Sequence, residues 1–312
     1  MNDARRWVGG LWAQISKGLA TAAASLMLVA PSMAQQDFGK VEFKSVPVIE
    51  GLVMLQGAGG NIGVSKGRDG LLVIDNDYAA LENKLRGALL QHDHRPARFL
   101  LNTHWHGDHT GNNASLGREQ GVIVAHDNVR RRLASGGEIK AFGMKIPPAE
   151  RVALPAVTYD KTMTLHWNRH RLELVHPDPA HTDGDTVVYF YRGDILEAVH
   201  TGDLFFNGIY PFIDASSGGS AMGMVAAVAD VLSRIDDKTP IIPGHGPLAH
   251  KKDLQRYHDF LNTAVSRIAA LKSQGKSLQQ VIDAKPISDF EAEWGDGFLN
   301  TQTWVGIVYG AL

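Results

Sequence analysis

The chain contains no cysteine in 312 residues. That absence removes disulfides, a thiol nucleophile and thiolate metal ligands together, so any metal site must be built from imidazole nitrogen and carboxylate oxygen. An excess of charge of one sign is missing too. The formal net charge is −2, and without a basic surplus no nucleic-acid partner is expected. Nor does the apolar stretch Leu19 to Ala30 reach the ~20 residues of a comfortable membrane helix. It follows Arg5, Arg6 and Lys17 and precedes Pro31-Ser32-Met33-Ala34. Charged region, apolar region and small-residue site in that order predict an export signal over residues 1–34, cut after Ala34, with the mature protein periplasmic or secreted and no stable membrane span left. The remainder is 44% hydrophobic and 21% charged over the whole chain, a globular composition. It reads as a single domain over 35–312, with a helical extension from about residue 251 to the end.

What the chain does have is histidine, fourteen in all, and one dense run of potential ligands. In Asn102-Thr-His-Trp-His-Gly-Asp-His109, four ligand-type side chains follow the apolar Phe99-Leu100-Leu101. On an extended backbone, residues two apart point the same way, so His104 and His106 can grip one cation from one side. Gly107 is expected to let the chain turn, aiming Asp108 and His109 at a second position. A lone histidine is most often a surface or core residue, because metal ligation needs several convergent ligands. This cluster reverses those odds.

The surrounding pattern is α/β. Short strands are predicted at Val53 to Leu55, Ile62 to Val64, Leu71 to Ile74, Phe99 to Leu101 and Val122 to Val124, with a glycine-rich loop Gly57 to Gly60 and a hairpin turn Lys66 to Gly70. A helix is expected from Tyr78 to Leu90, and Asp127 as the N-cap of the next. Arg130 to Arg132 reads as a solvated face. Ser135 to Val157, rich in glycine and proline, reads as a long loop able to act as a lid. Further strands are expected at Thr162 to His166, Arg171 to Val175, Thr186 to Tyr191, Leu196 to Thr201 and Ile241-Ile242. Helices are expected at Ala221 to Ile235, Asp253 to Leu271, Leu278 to Ala284 and in the apolar tail from Phe298.

Three further pieces place one ligand-type residue each beside a predicted strand: His181 in Ala180-His-Thr-Asp-Gly-Asp185, Asp203 in Thr201-Gly-Asp-Leu204, and His245 in Pro243-Gly-His-Gly-Pro247. Each is weak alone. In this order after H-x-H-x-D-H they resemble the metallo-β-lactamase superfamily from roughly residue 45 to 250. The resemblance implies a four-layer αββα sandwich of two similar halves with the site at one edge. It implies that His104, His106 and His181 bind a first metal, that Asp108, His109 and His245 bind a second, and that Asp203 bridges both as in glyoxalase-II-like members. Asp108 would also orient the nucleophile. Two Zn2+ per chain fit the N/O donor set, and Fe or Mn would tolerate it. Water shared by two such cations ionises near neutral pH.

The function expected is an exported dinuclear zinc-dependent hydrolase of a small ester, thioester, lactone or β-lactam. Asp203 draws the chain toward the glyoxalase-II-like branch, since the cysteine-free β-lactamase subclass lacks its equivalent. The alternatives are an iron-dependent sulfur dioxygenase or other redox member, a phosphodiesterase, and a non-catalytic metal binder. Asp75, Asp183 and Asp185 are candidate acceptors for ligand imidazole N–H groups. Trp105 should point away from its histidine neighbours. Phe205, Phe206, Tyr210 and Phe212 are candidates for an apolar pocket.

Overall fold

In the computed structural model, residues 37–312 are described; the basic and apolar N-terminal tract lies outside them. The chain opens with an antiparallel meander of β1 (Lys44–Ile49), β2 (Leu52–Gln56), β3 (Ile62–Ser65) and β4 (Leu72–Ile74). A single 3-10 turn and α1 (Glu82–Leu90) then cross to β5 (Phe99–Leu101), which runs parallel to β4. The short α2 (Gly107–Thr110) and α3 (Asn113–Arg118) lead to β6 (Val122–His126), again parallel. Next come α4 (Asp127–Ser135), the hairpin β7 (Gly137–Ile139) and β8 (Met144–Ile146), and β9 (Val157–Tyr159). The first sheet has seven strands in the order β1-β2-β3-β4-β5-β6-β9.

The second half builds a five-stranded sheet from β10 (Thr162–Trp167), β11 (His170–Val175), β12 (Val187–Arg192), β13 (Ile195–Phe206) and β14 (Ile241–His245), in sequence order. Asn168 and Arg169, between β10 and β11, both have positive φ (48° and 69°). This is the backbone a two-residue hairpin with native strand twist demands. α5 (Ala221–Arg234) carries the chain from β13 to the parallel β14. Then follow α6 (Lys251–Ser273), α7 (Leu278–Asp283), α8 (Glu291–Trp294) and α9 (Thr301–Ala311).

Alternation along the strands sorts the side chains into layers. Leu52 and Met54 of β2 face Leu172, Leu174, Val188 and Phe190 of the second sheet across an apolar seam. Their neighbours Val53 and Leu55 turn outward and meet Leu85 and Leu89 of α1. On the second sheet, Val187 and Tyr189 turn outward to a cluster that includes Val228 of α5 and Leu261 of α6. Helix, sheet, sheet, helix is thus the αββα sandwich expected. α9 closes the end by packing on α6 and α7, with Tyr210 and Trp304 stacked at 4.9 Å. Among the described residues no helix is long and apolar enough to cross a membrane.

Three local expectations are corrected. Asp127 is the first residue of α4, and the cap is His126, whose ring accepts from Asn128 N–H. Ser135 to Val157 is not structureless, because Met144 and Ile146 find an apolar surface to pair against and form the β7–β8 hairpin. Arg132 leaves the solvated face to clasp Asp183 with two 2.7 Å bonds.

Candidate metal centre

The ends of β4, β5, β13 and β14 lie along one edge of the sandwich. β5 stops at Leu101, and the residues after it run into α2 with His106 still extended (φ −64°, ψ 150°). Asp108 and His109 then sit in the first turn of α2. Gly107 does not supply the bend through a special backbone: no heavy atom lies within 4 Å of where its Cβ would be. It borders the pocket instead. From the other sheet, β13 is bulged at Gly202, whose φ is +51° and where a Cβ would lie 2.7 Å from Thr103. A residue with a side chain there would be both strained and crowded, and the bulge aims Asp203 at the cluster.

Two groups of ligand-type atoms result, each within 4.8 Å: His104, His106, His181 and Asp203, and Asp108, His109 and His245. Asp203 lies between them. Its carboxylate is 3.4 Å from His181 and 3.7 Å from His104 on one side, and 3.1 Å from His109 and 3.4 Å from His245 on the other. The seven side chains drawn from distant parts of the sequence therefore share one centre.

The outward ring nitrogens are tethered. His106 Nε2 meets Asp214 Oδ2 at 3.0 Å, His181 Nδ1 meets the Phe212 carbonyl at 2.7 Å, and His109 Nδ1 meets Asp75 Oδ2 at 2.8 Å. His104 Nδ1 lies 3.0 Å from the Thr103 hydroxyl, which already donates to Asp75. Carbonyls and carboxylates only accept, so each outward nitrogen carries a hydrogen, and on the rings of the first group the inward nitrogen is left with a lone pair. In the first group this leaves His106 Nδ1 and His181 Nε2 facing each other at 3.0 Å. Beside them, His104 Nε2 and Asp203 Oδ1 are buried with no hydrogen-bond partner. Lone pairs converging on a buried point are unfavourable alone and suit a cation. The donor set, imidazole and carboxylate, suits zinc.

Electrostatics separate the two groups. Burial, reinforced by neighbouring rings, holds His104 well below the usual imidazole range and His181 at about 4. Burial acts on His109 and His245 as well, but the carboxylates of Asp203 and Asp108 outweigh it. They lift His109 well above its usual value and His245 to about 9. Burial opposes ionisation of Asp108 and Asp203, yet the surrounding imidazoles hold both well below the carboxylate range. A cation entering the second group thus competes with protons; in the first it meets His104 and His181 as neutral rings.

Of the outer candidates, Asp75 does meet an imidazole, that of His109, and also fixes Thr103 N–H at 2.8 Å. Asp185 and Asp183 do not. Asp185 accepts from Thr182, and burial lifts it to about 7; Asp183 holds Arg132. Asp214 was not singled out in the sequence. It holds His106 and also accepts from Ser217, whose hydroxyl in turn receives Trp105 Nε1–H at 3.1 Å. Trp105 is buried away from the centre, as expected. The Gly57 to Gly60 loop, a weak signal in the sequence, closes over the centre. Asp77 holds the Ala58 and Gly59 N–H groups, and Gly60 N–H reaches the Asp108 carbonyl at 3.1 Å. A Cβ on Gly60 would fall 2.1 Å from the His109 ring.

A cavity of about 310 Å³ opens above the centre. Ile139, Phe142, Met144 and Ile146 from the β7–β8 hairpin line it together with Phe206, Phe212 and Phe298. Phe142 rests on Phe212 with ring centroids 4.7 Å apart. Phe205 and Tyr210 turn away into the core, against Tyr257 and Trp304.

Residues 64–256 match the family described as the Metallo-beta-lactamase superfamily. A hydroxyacylglutathione hydrolase of Anaeromyxobacter dehalogenans is 31% identical over 157 residues, 49% of each chain. A probable hydroxyacylglutathione hydrolase of Schizosaccharomyces pombe is 30% identical over 147 residues, 47% of each. The chain spans about half the length of these curated relatives. Among solved structures, a metallo-beta-lactamase from Pontibacter korlensis superposes with a TM-score of 0.58 at 16% identity, covering 71% of this chain and 99% of that one. The sec-alkylsulfatase Pisa1 from Pseudomonas sp. gives 0.62 at 17% identity, covering 86% and 50%. At such identities the likeness is one of fold.

Proposed function

Because the chain belongs to the metallo-beta-lactamase superfamily, we propose that it is a metal-dependent hydrolase, exported, that holds two zinc ions and cleaves a small ester, thioester, lactone or β-lactam. The observation that carries this reading is the convergence of inward lone pairs on His104, His106 and His181 beside the Asp203 carboxylate, with His104 Nε2 buried and without a hydrogen-bond partner. His104, His106 and His181 would hold one cation, Asp108, His109 and His245 the other, and Asp203 would serve both. When bound, such cations supply Lewis acidity and a water that ionises near neutral pH.

The chain's own residues do the rest. Asp75 and Asp214 fix the orientation of His109 and His106, so the donor set is arranged before any ligand arrives. Asp108 borders the cavity and stays ionised beside His245, 3.3 Å away. It is therefore placed to accept a proton from a nucleophilic water and pass it to a leaving group. The apolar wall excludes bulk water from the reacting carbon, which strengthens electrostatic contacts there.

The test joins metal analysis to turnover. The purified protein should carry close to two equivalents of zinc, lose hydrolysis of a thioester and lactone panel on chelation, and regain it with zinc. His104→Ala and Asp108→Ala should each abolish turnover in a folded protein; near-normal turnover in either rejects the mechanism.

A further inference from the structure

The carboxylate and imidazole side chains that border the cavity are Asp108, Asp203, His106 and His245, and all four belong to the metal centre. Among the described residues lining it there is no lysine and no arginine. Lys145 lies between Met144 and Ile146 on β8, where alternation along the strand turns it to the opposite, exposed face. The remaining polar wall residue is Tyr78, an uncharged phenol. The part of a substrate lying away from the reacting carbon therefore meets Ile139, Phe142, Met144 and Ile146 of the hairpin together with Phe206, Phe212 and Phe298. A carboxylate carried there would lose its hydration and find no cation to pair with. The volume, about 310 Å³, is at the small end of ligand pockets and equals that of about ten waters. It suits a short chain rather than a tripeptide.

We propose that the substrate is an uncharged ester or thioester whose acyl part is a short aliphatic chain seated against the β7–β8 hairpin, and that thioesters of anionic carriers such as glutathione are poor substrates. This rests on the hydrolase reading above and narrows it. It also sets the chain apart from the named activity of the two curated relatives described above. Phe298, 45% exposed, lines the same cavity and belongs to the segment between α8 and α9, which lies past the end of the family match at residue 256. The specificity is thus assigned partly to a segment outside that match.

The experiment compares kcat/KM of the zinc-loaded protein on acetyl, butyryl and hexanoyl thioesters of N-acetylcysteamine and on the same acyl groups carried by glutathione. The neutral series should rise about two- to fourfold per methylene until the cavity is filled. Each glutathione thioester should run about tenfold or more below its neutral counterpart. Met144→Asp should flatten the series while metal content stays unchanged. A neutral fluorescent probe, N-phenyl-1-naphthylamine, should bind the protein, weaken severalfold with Met144→Asp, and resist displacement by glutathione. A flat acyl series, glutathione thioesters matching or exceeding neutral ones, or no probe binding overturns the proposal and leaves the hydrolase reading standing. Hydrolysis of none of these thioesters, nor of lactone or β-lactam, by zinc-loaded protein overturns both.

Discussion

The floor of the pocket is polar, buried and assembled from both sheets, whereas its wall is apolar and comes from a hairpin, the end of β13 with the loop after it, and a C-terminal segment. Floor residues have their freedom removed twice, by close packing and by outward hydrogen bonds such as Asp214 to His106 and Asp75 to His109. Wall residues Phe142, Met144 and Ile146 are only partly buried and are held by contact alone. Chemistry that tolerates little misplacement is built on fixed strand ends, while selection of a substrate tolerates an adjustable surface. A hydrogen-bonded link joins the hairpin region to the floor. The Ser216 hydroxyl accepts the Lys140 N–H of the hairpin region at 3.1 Å and donates to Asp214, the residue that orients His106.

If floor and wall divide their tasks in this way, mutations should divide likewise. The largest effect belongs to Asp203→Ala, which removes the carboxylate between both ligand groups. Turnover should fall about a thousandfold or more and bound metal should drop, read by elemental analysis beside a near-native circular dichroism spectrum. Next is Asp214→Asn, which touches no substrate. Metal affinity should fall about 10- to 100-fold in a chelator competition, with KM for a neutral substrate little changed. Unaltered affinity would break the assignment of Asp214.

Within the floor, the two groups should differ in their response to pH. His245 titrates at about 9 and His181 at about 4. Between pH 6 and 9 the second group must give up protons to bind a cation, and its affinity should rise with pH by up to about tenfold per unit for each proton released. The first group, in which His104 and His181 are already neutral there, should show a much flatter dependence. Zinc titrations at several pH values, with proton release followed in buffers of different ionisation enthalpy, resolve the two. The smallest effect is expected from the wall: Phe142→Ala should raise KM about three- to tenfold for an apolar substrate and leave metal content untouched. A fall in metal content instead would mean that the hairpin supports the floor.

The same division governs what could be read from sequence. His104, His106, Asp108 and His109 were legible because their chemistry is rare and their spacing tight, and His181, Asp203 and His245 because each stands beside a predicted strand in the expected order. The strands themselves were legible from apolar alternation, and Lys66 to Gly70 from turn chemistry. Asp214 was not, because its task is defined by a contact with a residue 108 positions away, and an aspartate after Phe212-Ile213 looks like any loop residue. The hairpin was hidden for a related reason. Met144-Lys145-Ile146 is too short to declare a strand, and its shape is imposed by Phe212 and the surface it lies on. Phe205 and Phe206 differ only by one step along β13, which sends one ring to Tyr257 and the other to His245 at 4.9 Å. Composition could not choose between them; strand register did.

Anomalous diffraction from crystals grown with zinc tests the central claim most directly. Two peaks are expected, one bounded by His104, His106 and His181 and one by Asp108, His109 and His245, with the Asp203 carboxylate reaching both. No peak among these residues, with their side chains splayed apart, would contradict the account.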